Sequence, residues 1–116
     1  MYLEGKWYNL IPNDNIIDKE DIIKSLDASI LQTFIFNEIL GISDPRTDKR
    51  LDFVGGVHGL KGLIKRVDSN EMKIAFALYP VTIEDLIEIA DKGLLMPPKS
   101  TWFEPKLRSG LFLHAL

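Results

Sequence analysis

One stretch in the second half of the chain restricts the possible folds more than any other. Lys73 to Tyr79 contains the least polar segment, Ile74-Ala75-Phe76-Ala77-Leu78; Pro80 stops it, and Thr82 precedes Asp85 by three residues. An unbroken apolar run suits a strand at the centre of a sheet, covered on both faces. The Thr82 to Asp85 spacing is that of a capping box, with Val81 and Leu86 placed to staple the entry of the helix. Leu86, Ile87, Ile89 and Ala90 supply its buried side and Gly93 ends it. Strand, proline and capped helix form a tight βα unit that requires layered elements. The expected class is α+β, a mixed sheet with three to four helices.

The other segments fill in that frame. Residues 2–10 alternate around Gly5-Lys6, with Trp7 and Tyr8 just beyond, which reads as a short hairpin or one bent strand. A two-stranded hairpin is marginal alone, so its sheet partner is expected upstream or in another chain. Pro12-Asn13-Asp14-Asn15 is a turn, and Asp18 with Asp21 opens a short helix whose apolar face is Ile22, Ile23 and Leu26. The main core helix is expected over about residues 28–40, capped by Asp27 or Ser29. It carries Ile30, Leu31, Phe34, Ile35 and Ile39 at helical spacing, and Gly41 stands at its left-handed end. Leu51 to Val54 reads as a short strand ending at Gly55-Gly56. Leu60, Leu63, Ile64 and Val67 then predict a helix over about residues 57–67. Gly59 and Gly62 interrupt that helix at a cost of roughly 1 kcal/mol each relative to alanine, which points to a close backbone or a close ligand.

Composition limits the function classes. At 116 residues, 46% hydrophobic and 27% charged, the chain suits one folded domain. Fourteen Lys+Arg against seventeen Asp+Glu give a net charge of −3, so nothing global attracts nucleic-acid phosphates, and nucleic-acid binding is disfavoured. The absence of cysteine removes disulfides, thiolate metal sites and cysteine nucleophiles, and fits a reducing cytoplasm. No signal-like N-terminus and no apolar run of membrane-spanning length is present, so a cytoplasmic protein without membrane contact is expected.

Three motifs bear on chemistry. Gly93 to Ser100 keeps the spacing of a phosphate-binding P-loop but has Pro98 at the second glycine position and a helix before the loop instead of after it. Proline supplies neither the free N–H nor the dihedral freedom, so the P-loop analogy fails. Gly55-Gly56-Val57-His58-Gly59-Leu60-Lys61-Gly62 lies in the right context for a dinucleotide loop, but its glycines do not fit the spacing. It reads as a tight turn whose N–H groups remain able to hold an anion, which makes Gly55, Gly56 and His58 secondary site candidates. His58 and His114 have no partners at metal-like spacing, so neither a metal nor a cofactor is expected. Asp44 to Arg50 is a charged turn of mixed sign, either a solvated loop or a ligand-contacting one.

The least ordinary composition lies in Met96 to Leu111, MPPKSTWFEPKLRSGL. Lys99, Lys106 and Arg108 are cations beside the hydroxyls of Ser100 and Thr101, offset locally only by Glu104. That is an anion-binding composition. The same residues also suit a proline-set terminal hairpin, extended over residues 100–104, turned over 105–110 and closed by a strand over 111–115, with Trp102 and Phe103 in the core.

Met96-Pro97-Pro98-Lys99-Ser100-Thr101-Trp102-Phe103-Glu104-Pro105-Lys106-Leu107, Phe76-Ala77-Leu78-Tyr79-Pro80 and Leu26-Asp27-Ala28-Ser29-Ile30-Leu31 resemble the C-terminal part of a bacterial and archaeal family, domain of unknown function 1015 (DUF1015). Its members are several times longer and carry upstream an Asp-Gly-His-His-Arg-Tyr type motif similar to the phosphate-binding motif of ParB-like proteins. The resemblance implies that residues 1–116 are a single C-terminal module whose missing N-terminal domain would carry any nucleotide chemistry, and that the isolated chain has little or no catalysis. Two functional expectations follow. In the first, Lys99, Ser100, Thr101, Lys106 and Arg108 complete a site for a phosphate, carboxylate or nucleotide. In the second, the chain is an assembly module that forms a homodimer or packs on the missing domain through the terminal hairpin and the Trp7 region.

Overall fold

The computed structural model describes residues 1–101. The expected closing strand over 111–115 and the turn over 105–110 lie outside the described residues, as does most of the extended segment expected at 100–104. Within the described part the fold is α+β, three short strands with three helices. No helix among the described residues is long and apolar enough to cross a membrane.

The chain opens as a hairpin. Strand β1 (Tyr2–Leu3) pairs antiparallel with β2 (Lys6–Trp7), Tyr2 opposite Trp7 and Leu3 opposite Lys6. The turn falls on Glu4 and Gly5, one residue earlier than the sequence suggests, and both have positive φ, 49° and 76°. Two positive φ values make a type I′ turn, whose twist matches that of the strands it joins. A further pair of hydrogen bonds, Tyr8 N to Met1 O at 2.7 Å and the Met1 ammonium to Tyr8 O at 2.9 Å, extends the ladder. The Tyr2 and Trp7 rings meet across it, centroids 5.1 Å apart.

The hairpin finds its third strand inside the chain. Strand β3 (Ile74–Ala75) pairs antiparallel with β1, Tyr2 opposite Ala75 and Leu3 opposite Ile74, so the order is β2-β1-β3. Two expectations change here among the described residues: the hairpin has a sheet partner within the chain, and both pairings are antiparallel. Among the described residues the apolar run, moreover, contributes two residues to the sheet and sits at its edge. The rest of the run crosses to other work. Phe76 packs edge-on against Phe36, ring centroids 5.7 Å apart and nearly perpendicular, while Leu78 and Tyr79 are exposed.

One helix covers the sheet. Helix α2 (Gly59–Asp68), preceded by a 3-10 turn at Gly56–His58, lays Val67 onto Tyr2 and Ala75, with Leu63, Ile64 and Met72 packed around them. The Tyr2 hydroxyl donates to Asp68 Oδ1 at 2.9 Å, tying the hairpin to the end of α2. The strand expected at residues 51–54 does not form. Asp52 instead accepts from Phe53 N at 2.7 Å and receives Arg66 of α2 at 2.6 Å, which pins this segment to the helix and away from the sheet.

The helix expected over residues 28–40 forms with different winding. Helix α1 (Asp27–Ile30) passes directly into a π-helical stretch at Leu31–Asn37. The wide turns persist past it, with Glu38 N donating to Thr33 O at 3.3 Å, Leu40 N to Ile35 O at 2.9 Å and Ile42 N to Phe36 O at 2.7 Å. Winding with five- and six-residue closures makes the apolar face lag behind a 3.6-residue stripe. Ile39, expected in the core, is therefore 69% exposed, and Ile42 beyond Gly41 is 2% exposed. Neither Asp27 nor Ser29 caps this helix; Leu26 occupies the N-cap, and the buried Ser29 hydroxyl has no partner among the described residues. The short helix expected after Asp18 is a single turn, closed by Asp21 Oδ1 accepting from Ile23 N and Lys24 N at 3.0 and 3.1 Å.

Helix α3 (Ile83–Asp91) has the complete capping box, Asp85 N donating to Thr82 Oγ1 at 3.1 Å and Thr82 N to Asp85 Oδ2 at 3.2 Å. Of its expected buried side only Ile89 is deeply covered, at 2% exposure; Leu86 is half-buried, Ile87 is 55% exposed and Ala90 is exposed. The helix packs against no other helix or strand among the described residues.

Candidate binding cleft

The elements leave an open cleft of about 1910 Å³ between α1 with its π-helical continuation, the charged loop after it, the start of α2, and the chain from β3 into α3. Its apolar wall includes Leu26, Leu31, Phe36, Leu60, Phe76 and Leu78. Pro97 to Thr101 form part of the rim. The sequence candidates divide accordingly. Lys99, Ser100, Thr101, Gly55 and Gly56 all border this one cleft, whereas His58 does not. Lys106 and Arg108 lie outside the described residues.

Local geometry explains the placement of Lys99. Pro98 and Lys99 make a turn with Lys99 at φ +62°, and the Ser100 hydroxyl closes it by donating to Pro97 O at 2.6 Å. Proline at the second position and positive φ at the third is the pattern of a type II turn, in which the third residue is ordinarily glycine. The one proton of Ser100 is thereby committed to the turn, leaving its oxygen as an acceptor.

His58 is exposed, and its backbone end lies against the start of α2. A Cβ placed on Gly62 would lie 2.8 Å from His58 Cβ and 3.2 Å from Val54 Cγ1. The glycine in mid-helix therefore serves a close packing contact, with Gly55 and Gly56 forming the turn that precedes it.

The charged turn from Asp44 to Arg50 also borders the cleft. It contains the same short pattern twice, Asp44-Pro45-Arg46 and Asp48-Lys49-Arg50, and each acid binds the arginine two residues on. Arg46 Nε and Nη2 donate to Asp44 Oδ1 and Oδ2 at 3.0 and 2.8 Å; Arg50 Nε and Nη2 donate to Asp48 Oδ1 and Oδ2 at 3.0 and 2.6 Å. The guanidinium beside each carboxylate holds it well below the usual carboxylate range, Asp44 and Asp48 both to about 2. Arg50 also donates to Leu40 O and Gly41 O at 3.0 and 3.2 Å, satisfying carbonyls past the π-helical stretch. Arg66, similarly, is shared by Glu71 and Asp52; their carboxylates raise its pKa, and its guanidinium lowers theirs.

Other charged groups on the cleft are unpaired lysines and acids. Among the described residues, Lys49, Lys73 and Lys99 border the cleft without forming an ion pair. Lys49 and Lys99 also share a side recess of about 380 Å³ with Arg46 and Asp52. The site is thus an apolar trough with arginine–carboxylate clamps, bordered by lysines and by the acids Asp27 and Asp85, none of which forms an ion pair among the described residues. Among the described residues no three His, Asp or Glu side chains gather as a metal site would require.

No protein-family model matches the chain, and neither a curated protein nor a solved structure is significantly similar to it.

Proposed function

We propose that this chain is an assembly module, the C-terminal part of a larger cytoplasmic protein of the kind its DUF1015 resemblance implies, and that its cleft receives an apolar polypeptide element from a neighbouring domain or chain. One observation carries the reading. Seven hydrophobic residues are buried among the described residues, against fourteen large hydrophobics that are exposed, including Trp7, Leu60, Leu78 and Tyr79. A self-sufficient domain buries most of its large apolar side chains and keeps exposed apolar patches small. The cleft points the same way, since about 1910 Å³ exceeds the roughly 300–1000 Å³ of small-molecule pockets. Sedimentation velocity over a wide concentration range, alone and with the upstream domain of the parent protein, tests the reading. Association that is lost in Leu60→Asp/Leu78→Asp is expected. A wild-type chain that stays monomeric throughout and ignores the upstream domain overturns it.

A second reading keeps the anion site. It is favoured by the turn that brings Lys99 beside Lys49 in the smaller recess, with Thr101 on the rim nearby. Titration with inorganic phosphate followed by amide NMR tests it. Shifts centred on Lys49 and Lys99 that vanish in Lys49→Gln/Lys99→Gln support it, and shifts spread over all surface lysines count against it.

A further inference from the structure

The described part of the chain ends while it is still on the cleft. Pro97, Pro98, Lys99, Ser100 and Thr101 all line it, and the Ser100 hydroxyl closes their turn by donating to Pro97 O at 2.6 Å. Lys99 holds a φ of +62° there, a conformation that a residue with a side chain resists unless its surroundings fix it. The trough reached at this point is walled by Leu31, Phe36, Leu60, Phe76 and Leu78, of which Leu60 and Leu78 are 54% and 46% exposed. The sequence that follows Thr101 is rich in large apolar residues, Trp102, Phe103, Leu107, Leu111, Phe112 and Leu113 among them.

We infer that residues 102–116 of the same chain are the occupant of the cleft, and that an element from a partner has to displace them. The inference rests on the assembly reading and names what regulates its site. Apolar burial is the driving force, and it is non-directional, so an aromatic-rich segment and an apolar trough need no matched pattern of charge. Charge does not choose the occupant in any case. The border mixes Lys49, Lys73 and Lys99 with Asp27 and Asp85, and residues 102–116 mix Glu104 with Lys106 and Arg108. Attachment does choose it. A segment that starts on the cleft wall has an effective concentration on the order of millimolar, above that of a second copy in dilute solution. Reach is sufficient, since ten extended residues span about 33–36 Å, roughly three helix diameters.

The chain has no cysteine, so a single nitroxide at Ser109→Cys tests this on the full chain. In nitrogen-15 spectra of labelled protein diluted with excess unlabelled wild type, the amides of Leu60 and Leu78 are expected to lose most of their intensity. Those of Lys6 and Trp7, which do not line the cleft, are expected to lose less. Equal loss at both places, or none, overturns the inference and leaves the assembly reading standing. So does a loss seen only when nitroxide-bearing chains are mixed with separate nitrogen-15 chains, which puts a second copy's segment in the cleft. Circular dichroism checks the fold, and His114→Cys carries the label if Ser109→Cys perturbs it. Sedimentation velocity then tests displacement. Trp102→Ser/Phe103→Ser weakens the hold of the segment and is expected to shift self-association to lower concentration than wild type. Association that is present but unchanged in this variant overturns the competing role. Intensity loss at the cleft in a protein that never associates, variant included, supports the occupant and removes the assembly reading instead.

Discussion

Gly62→Ala separates close packing from helix propensity. In an open helix position the substitution stabilises by about 0.8–1 kcal/mol, because alanine is the better helix former. At Gly62 the new methyl group meets His58 Cβ at 2.8 Å and Val54 Cγ1 at 3.2 Å. The nearer obstacle is a Cβ, fixed to the backbone one helical turn earlier, so it moves only if the turn at Gly56–His58 moves. Overpacking of this kind costs about 1–3 kcal/mol. The two terms leave a net loss of up to about 2 kcal/mol, and a domain of this size loses roughly 4–8 °C in Tm per kcal/mol. Gly56→Ala is the control, as its Cβ meets nothing within 4 Å. It is expected to gain about 0.4–1 kcal/mol through the unfolded chain. Thermal and urea unfolding of both variants, with His58→Gly/Gly62→Ala as the relief mutant, measure the difference. A Gly62→Ala protein stabilised by about 1 kcal/mol would refute the packing of α2 against its own entry turn.

Three further outcomes are expected. Thr82→Ala removes the acceptor of the Asp85 N–H and costs about 1 kcal/mol in urea unfolding, whereas an unchanged midpoint would mean that the α3 cap carries no stability. Ile89→Ala costs about 2–5 kcal/mol and Ile87→Ala under about 0.5 kcal/mol when measured in dilute solution, and equal costs would contradict the orientation of α3. Asp44 and Asp48 have folded-state pKa values of about 2, below the unfolded value, so their contribution is intact above pH ~4 and is lost as pH falls toward 2; the acid-unfolding limb of Asp44→Asn/Asp48→Asn is expected to be flatter there than that of the wild type.

The features readable from sequence are those made by residues close in the chain. The Thr82–Asp85 capping box, the stop at Gly93, the hairpin at the N-terminus and the run of α2 all depend on hydrogen bonds or packing within a few residues, and all are present with small shifts of boundary. Even the paired Asp44-Pro45-Arg46 and Asp48-Lys49-Arg50 clamps were legible in principle, as a repeat of acid and arginine two apart, and their mutual neutralisation decides which cations remain uncompensated. The grouping of Lys99, Ser100 and Thr101 with Gly55 and Gly56 on one cleft was not, since it depends on where the loop after α1 lies relative to the turn after α3.

Hydrophobic periodicity says that a residue seeks cover, but not which element supplies it. The pairing of Tyr2 with Ala75, the confinement of the apolar run to two edge positions, and the exchange of Ile39 for Ile42 were all settled at long range or by π-helical winding. The chain by itself determined its local elements, because each is stabilised by its own neighbours. Only the tertiary structure decided that, among the described residues, those elements border an apolar cleft and leave Ile83 and Ile87 exposed on α3, because the balance between apolar surface and available cover belongs to the whole fold.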